Sequence, residues 1–342
     1  MTRKLWTSAL RLIGYGGVVL FITWQLWRQR GDLVAGIAAV GWARCVVAEM
    51  LTVCGLWLGM LGWRMLLNTG GSRLPLGTAA RLFFVSGLGK YVPGGLWPAL
   101  AHAHLARTLR LQPARLAMTF LGSVALSLVA GLTVGLLAVP QLAVANSLWW
   151  VVLPLSIVAL VPLFVPRVVR AGAGAVRRVT RRTGGSVELP SRRTVIGALG
   201  TMCLGWVVTG AHVLVLADGL APDSLHLAPL VVGGFALSTV AGVAAVLMPA
   251  GLGVREVVLT LVLGAVLGGG AVITVVALSR ILMTCADLLA AAAVNCVASL
   301  RGQRIATCLS PPPAGTRSGG TRWARVAVRA GSGSWWRSTG RR

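Results

Sequence analysis

"GKYVPGGLWP", residues 89–98, puts a lysine, a tyrosine, two prolines, three glycines and a tryptophan into ten residues of a greasy chain. Proline withholds a backbone donor and fixes φ, and glycine admits conformations that other residues avoid, so the stretch breaks a helix. In hydrocarbon each exposed backbone polar group costs about several kcal/mol, so such a break survives only where protein or a wet cavity covers it. The device recurs in "MPAGLGVREV", residues 248–257. "VPGGL" (92–96) and "MPAGL" (248–252) both read apolar, proline, small, glycine, leucine. A cation lies beside each break, Lys90 before the first and Arg255 after the second.

Around these two stretches the chain is built for lipid. Its 342 residues are 56% hydrophobic and 11% charged, with mean hydropathy +0.82. Long continuous apolar runs fall at 9–27, 45–67, 116–139, 147–165, 195–217 and 271–299. Each is long enough to cross roughly 30 Å of hydrocarbon as a helix. A β-barrel would show short alternating segments instead. The fold class expected is therefore an all-α polytopic membrane protein. The first run is followed by "RQRGDLV" rather than a small-residue cleavage site, so it is expected to stay as a span.

The net charge of +25 comes from 32 Lys and Arg against seven acidic residues. The arginines lie between and after the spans, which suits cytoplasmic loops facing anionic lipid and not nucleic acid. The loop 166–194 holds eight arginines and the tail after residue 300 holds nine, whereas 140–146 has no charge and 218–226 only Asp218 and Asp223. This pattern predicts a multi-pass protein of the cell membrane with both termini cytoplasmic. Segment 28–44, with Arg28, Arg30 and Arg44, is the exception.

That orientation requires 76–106 to enter and leave on one side, as a re-entrant helical hairpin. If 227–268 does the same, the chain divides into half-repeats of about 1–139 and 147–299, each reading span, span, broken hairpin, span. The second spans start 150 residues apart, the prolines Pro93 and Pro249 lie 156 apart, and the closing spans 155 apart. Three crossings per half invert the second half, an arrangement used by transporters. Alternatively 227–248 and 253–268 each cross, so the count is six to eight transmembrane helices with one or two broken hairpins. The membrane domain is expected over 1–300, with 301–342 a disordered, basic cytoplasmic tail.

Ionisable residues inside the spans are the candidate site. A helix starting after a break aims free N–H groups and a positive dipole end at its neighbours, and Lys90 and Arg255 add charge, so an anionic group such as a lipid phosphate fits there. Glu256 adjoins Arg255 and pairs with it or takes up a proton or an amine. Arg280 and Asp287 share a helix face and pair with each other or with other helices. Glu49 is balanced between interfacial solvation and a cavity role. His102 and His104 do not face each other on a helix, and no Cys-x-x-Cys pair exists among six cysteines, so no metal site is expected. No hydrolase elbow or Walker loop is present, and neither a cofactor nor an enzymatic activity is expected.

The two motifs, "GKYVPGGLW" (89–97) and "PAGLGVRE" (249–256), resemble signature stretches of the lysylphosphatidylglycerol synthase transmembrane-region family of flippase-like membrane proteins. The resemblance covers roughly residues 8–300. It implies a helical domain that translocates phospholipid or isoprenoid-linked lipid. On this sequence the motif positions are Lys90, Tyr91, Pro93, Gly94 and Trp97, then Pro249, Gly251, Gly253, Arg255 and Glu256. The aminoacyl-transfer domain of bifunctional members has no counterpart in the Arg-, Gly-, Ser- and Pro-rich tail, so synthase activity is not carried over.

Taken together these readings predict a transporter that moves an anionic or modified phospholipid, or a polyprenyl-phosphate lipid, between leaflets. The alternative is a non-transporting scaffold that partners a lipid- or glycan-modifying enzyme. A membrane glycosyltransferase would need acidic residues on a sizeable outer loop, and only Asp218 and Asp223 qualify.

Overall fold

A computed structural model describes residues 30–69, 74–91, 113–164, 190–221, 224–245, 251 and 253–309. The expected first span (9–27), the second arm of the first hairpin with Pro93, Gly94, Trp97, His102 and His104, the basic loop up to residue 189, Pro249 and the tail from 310 lie outside these residues.

The described residues are helical and contain no strand. In chain order the helices are α1 (Arg30–Val40), α2 (Trp42–Leu67), α3 (Leu76–Gly87), α4 (Pro113–Gly135), α5 (Val139–Ala145), α6 (Val152–Phe164), α7 (Arg192–Asp218), α8 (Ala228–Ala244), α9 (Val254–Leu263) and α10 (Gly269–Leu309). Single 3-10 turns cover Leu88–Tyr91, Ser147–Val151 and Ser224–Leu227. Helix is the conformation that satisfies every backbone group within one segment, as a lipid environment demands. By length and apolarity, Trp42–Leu67, Arg192–Asp218 and Gly269–Leu300 suffice to cross a membrane. Apolar side chains such as Val47, Met50, Val158, Leu204 and Ile273 are left exposed, as lipid-facing positions should be.

Two regions that the sequence left open take a definite form. The charged segment 28–44 contains α1 and the start of α2, joined at Gly41, whose φ of 92° ends one helix as the next begins. Arg44 then meets Asp218 at 3.6 Å, so part of this segment's excess charge is paired. The apolar run at 227–268 is two short helices, α8 with 17 residues and α9 with 10. They pack antiparallel: Gly242 lies against Gly251 and Arg255, and Gly234 against Val262. At 1.5 Å per residue α9 is about 15 Å long, half a hydrocarbon thickness.

The core is centred on α2 against α7. Gly62 lies beside Met202, Gly197 beside Met65, and Gly219, just past the end of α7, beside Arg44, so the two helices run antiparallel along their length. At mid-length Gly55 and Gly205 touch reciprocally. A Cβ on Gly55 would sit 2.9 Å from the Gly205 carbonyl oxygen, and one on Gly205 would sit 3.2 Å from the Gly55 carbonyl oxygen. Small residues of this kind let membrane helices approach backbone to backbone. Helix α8 lies antiparallel on α4, through Gly131 with Val240, Gly135 with Leu237 and Gly233 with Ala138. Helix α3 and its turn lie antiparallel on α10, through Arg81 with Asn295 and Tyr91 with Asp287. Residues 1–298 form one compact unit; in the second unit, 299–342, the described residues are helical through Leu309.

Candidate functional site

The turn that precedes the first break brings a half-buried lysine and a buried tyrosine to α10. Helix α3 tightens into the 3-10 turn Leu88–Tyr91, which brings Lys90 and Tyr91 to α10. Lys90 Nζ lies 2.5 Å from Asp287 Oδ2, and the Tyr91 hydroxyl donates to the same oxygen at 2.6 Å. Tyr91 is 2% exposed. Asp287 therefore receives a charge and a hydrogen bond from one turn, which compensates a carboxylate that hydrocarbon would not tolerate alone.

The second break works through its glycines. Gly251 and Gly253 have φ of 69° and 84°, which side-chain-bearing residues rarely adopt. Gly251 packs so closely on Gly242 that a Cβ there would sit 2.7 Å from the Gly242 Cα. Helix α9 starts immediately afterwards. Glu256 accepts the Gly253 N–H at 2.7 Å through Oε2, closing the cap, and faces Arg280 Nη1 at 3.1 Å through Oε1. The open choices in the sequence thus resolve: Glu256 pairs with Arg280 and not with Arg255, and Asp287 pairs with Lys90 and not with Arg280.

Arg255 is the exception to this pairing. It is 7% exposed, and among the described residues no carboxylate lies within 4.0 Å of it. Its Nη2 donates to Ser279 Oγ at 3.4 Å, and its guanidinium lies 5.0 Å from the centroid of the Phe235 ring. Arg280, Glu256, Tyr91 and Asp287 are all within its electrostatic reach, so residues of the two motifs share one cluster. Glu49 joins from α2: it feels the charge of Asp287, and its two carboxylate oxygens are buried without a hydrogen-bond partner among the described residues.

Beside the cluster lies a cavity of about 290 Å³ lined by parts of α2, α3, α4, α7, α8 and α10. Lys90 and Asp287 are the charged groups on its wall; Ser123, Ser127, Thr209 and Thr239 add hydroxyls, and Trp63, Phe83, Phe84, Phe120, Trp206 and Phe235 make it aromatic. Arg255 sits behind the Phe235 ring, not on the wall itself. Of the predicted site residues, the structure brings together Lys90, Tyr91, Gly251, Gly253, Arg255, Glu256, Arg280 and Asp287.

Sequence reasoning missed Ser279, Phe235 and His212. His212 is fully buried in α7, with Nε2 2.9 Å from Ser279 Oγ and its ring edge-on to Phe235. A histidine in the middle of an apolar span was itself the available signal.

Spanning helices that leave apolar side chains exposed, around a buried charged cluster, define a helical integral membrane protein. A family model of the lysylphosphatidylglycerol synthase TM region matches residues 10–291, and the chain belongs to that family. A search of curated proteins found no match to the chain.

Proposed function

We propose that this protein moves an anionic or modified phospholipid, or a polyprenyl-phosphate lipid, between membrane leaflets. The observation that carries the reading is Arg255, a buried guanidinium with no carboxylate partner among the described residues. An uncompensated buried cation is costly, and a ligand phosphate removes that cost through charge-assisted, bidentate hydrogen bonds. Lys90 supplies a second cation on the cavity wall. Its pairing with Asp287 holds it in place until a head group competes for it. A cavity of about 290 Å³ is at the small end for ligand pockets, so it takes a head group while the acyl or prenyl chains stay in the bilayer.

The transport step is a rocking of two inverted half-repeats about the α2–α7 seam. Three contacts support this. Gly55 and Gly205, 150 residues apart, meet each other, as equivalent residues do at a pseudo-two-fold axis. The α8 arm lies on α4 as α3 lies on α10, each half's hairpin arm against the other half's closing helix. The short α8–α9 pair reads as a re-entrant hairpin. The basic ends of α2 and α7, with Arg64, Arg192 and Arg193, face the cytoplasm in this reading, and the chain catalyses no bond-making step.

In vesicles reconstituted with the purified protein, Arg255→Ala is expected to abolish leaflet transfer of a fluorescent anionic phospholipid, a loss of about a hundredfold or more given the cost of an unpaired buried charge. Wild-type transfer by a folded variant would discard the proposal. No transfer by the wild type, with an associated transferase co-purifying, would favour the scaffold alternative.

A further inference from the structure

Beyond Arg255 itself, the structure contains a hydrogen-bond chain that fixes its direction. The Thr209 carbonyl can only accept, so His212 Nδ1, which contacts it, holds the proton. In the neutral ring Nε2 is then an acceptor, and the Ser279 hydroxyl, 2.9 Å away, donates to it. With its proton committed, Ser279 Oγ offers lone pairs to Arg255 Nη2 at 3.4 Å. The chain runs in one direction, Arg255 to Ser279 to His212 to the α7 backbone, and joins three helices: α9, α10 and α7. A doubly protonated His212 would put two cationic donors on one serine oxygen, so the neutral form is the one the geometry accepts. The Phe235 ring, flanked by the His212 edge at 5.0 Å and the guanidinium at 5.0 Å, holds the same side chain from another direction.

We propose that His212 and Ser279 are positioning residues, which occupy one guanidinium nitrogen of Arg255 so that its remaining N–H groups are presented as a fixed fork to an anionic oxygen ligand. The inference rests on the head-group reading of Arg255 given above. Arginine is apt for this because its planar fork loses little freedom when one limb is anchored. The anchor also ties the ligand contact to α7 at Thr209, whose side chain faces Gly55 across the seam. A shift of α7 against α2 would therefore re-aim Arg255.

The test is binding of phosphatidylglycerol to the detergent-purified, full-length protein, in the wild-type and Arg255→Ala backgrounds, with thermal unfolding followed in parallel. Ser279→Ala is expected to weaken binding about tenfold, the scale of losing a hydrogen bond to a charged group, and Ser279→Thr to restore it. In the Arg255→Ala background, Ser279→Ala should add no further loss, because the serine acts through the arginine. His212→Gln provides a second perturbation of the chain should Ser279→Ala fail to fold. Wild-type affinity in both folded relay variants, or an equal loss with and without Arg255, overturns the positioning role while leaving the Arg255 reading intact. Unchanged binding in Arg255→Ala, or none in the wild type, overturns both.

Discussion

The two interruptions begin from the same sequence pattern and end as different devices. At the first, the preceding turn Leu88–Tyr91 delivers Lys90 to a cavity wall, where Asp287 neutralises it. The second, at Gly251–Gly253, delivers Arg255 behind that wall, buried and without a carboxylate among the described residues. Its neighbour Glu256 is spent on Arg280 and on the helix cap. One cation is thus neutralised by a direct ion pair, and the other is held by a hydroxyl and a ring face, with carboxylates only at longer range. The difference teaches that motif residues of like sign need not share a role. Lys90 lines the cavity within an ion pair, whereas Arg255 lies off its wall against Ser279 and Phe235.

The α2–α7 seam offers the harshest way to break this comparison. Gly55→Val should disrupt both devices at once. Already a Cβ there would lie 1.8 Å from Thr209 Oγ1 and 2.9 Å from the Gly205 carbonyl oxygen, and the backbone contact cannot give way as a flexible side chain would. Overpacking costs about 1–3 kcal/mol in ordinary cores and more where backbones must separate. A thermal unfolding midpoint of the purified protein far below wild type is expected. An unshifted midpoint would mean that the α2–α7 seam does not hold the core together.

A smaller effect separates the two partners of the first device. Asp287→Ala strips Lys90 and Tyr91 of their shared acceptor, while Lys90→Ala leaves Asp287 still bonded to Tyr91. Leaving the buried carboxylate without its cation should nonetheless cost more, about 2–3 kcal/mol, than leaving a half-buried ammonium that keeps some solvation, about 1 kcal/mol. The double variant should be milder than the sum. Equal and additive losses, read by thermal unfolding, would show that the pair is not coupled.

How much of this was legible follows from the physics of each signal. Spans such as 45–67 and 195–217 were readable because lipid imposes a minimum apolar length, and α2 and α7 start only three residues earlier than expected in each case. The breaks were readable because proline and glycine state their backbone demands in sequence. Partner choice was not. Seven residues on one helix put Arg280 and Asp287 on a common face, yet each found its partner on another element, because tertiary packing sets distances that spacing along a chain does not. Ser279 was invisible, since serine is common in spans and acquires meaning only beside His212 and Arg255. Helix α1 hid behind the charges of 28–44, one of which Asp218 pairs with.

The finest test uses two glycines one helical turn apart. Gly55 and Gly59 both line the cavity, but a Cβ on Gly59 would meet nothing within 4 Å, whereas one on Gly55 would collide. Gly59→Leu should therefore leave stability within about 1 kcal/mol of wild type, because the gain from replacing a helical glycine offsets any crowding. It should nonetheless fill space between Lys90 and the aromatic wall, and transfer of a fluorescent anionic phospholipid in vesicles should fall about tenfold or more, since a head group and a leucine side chain compete for one small volume. A folded Gly59→Leu protein that transfers lipid at the wild-type rate would remove the cavity from the transport path and leave Arg255 to act from another side.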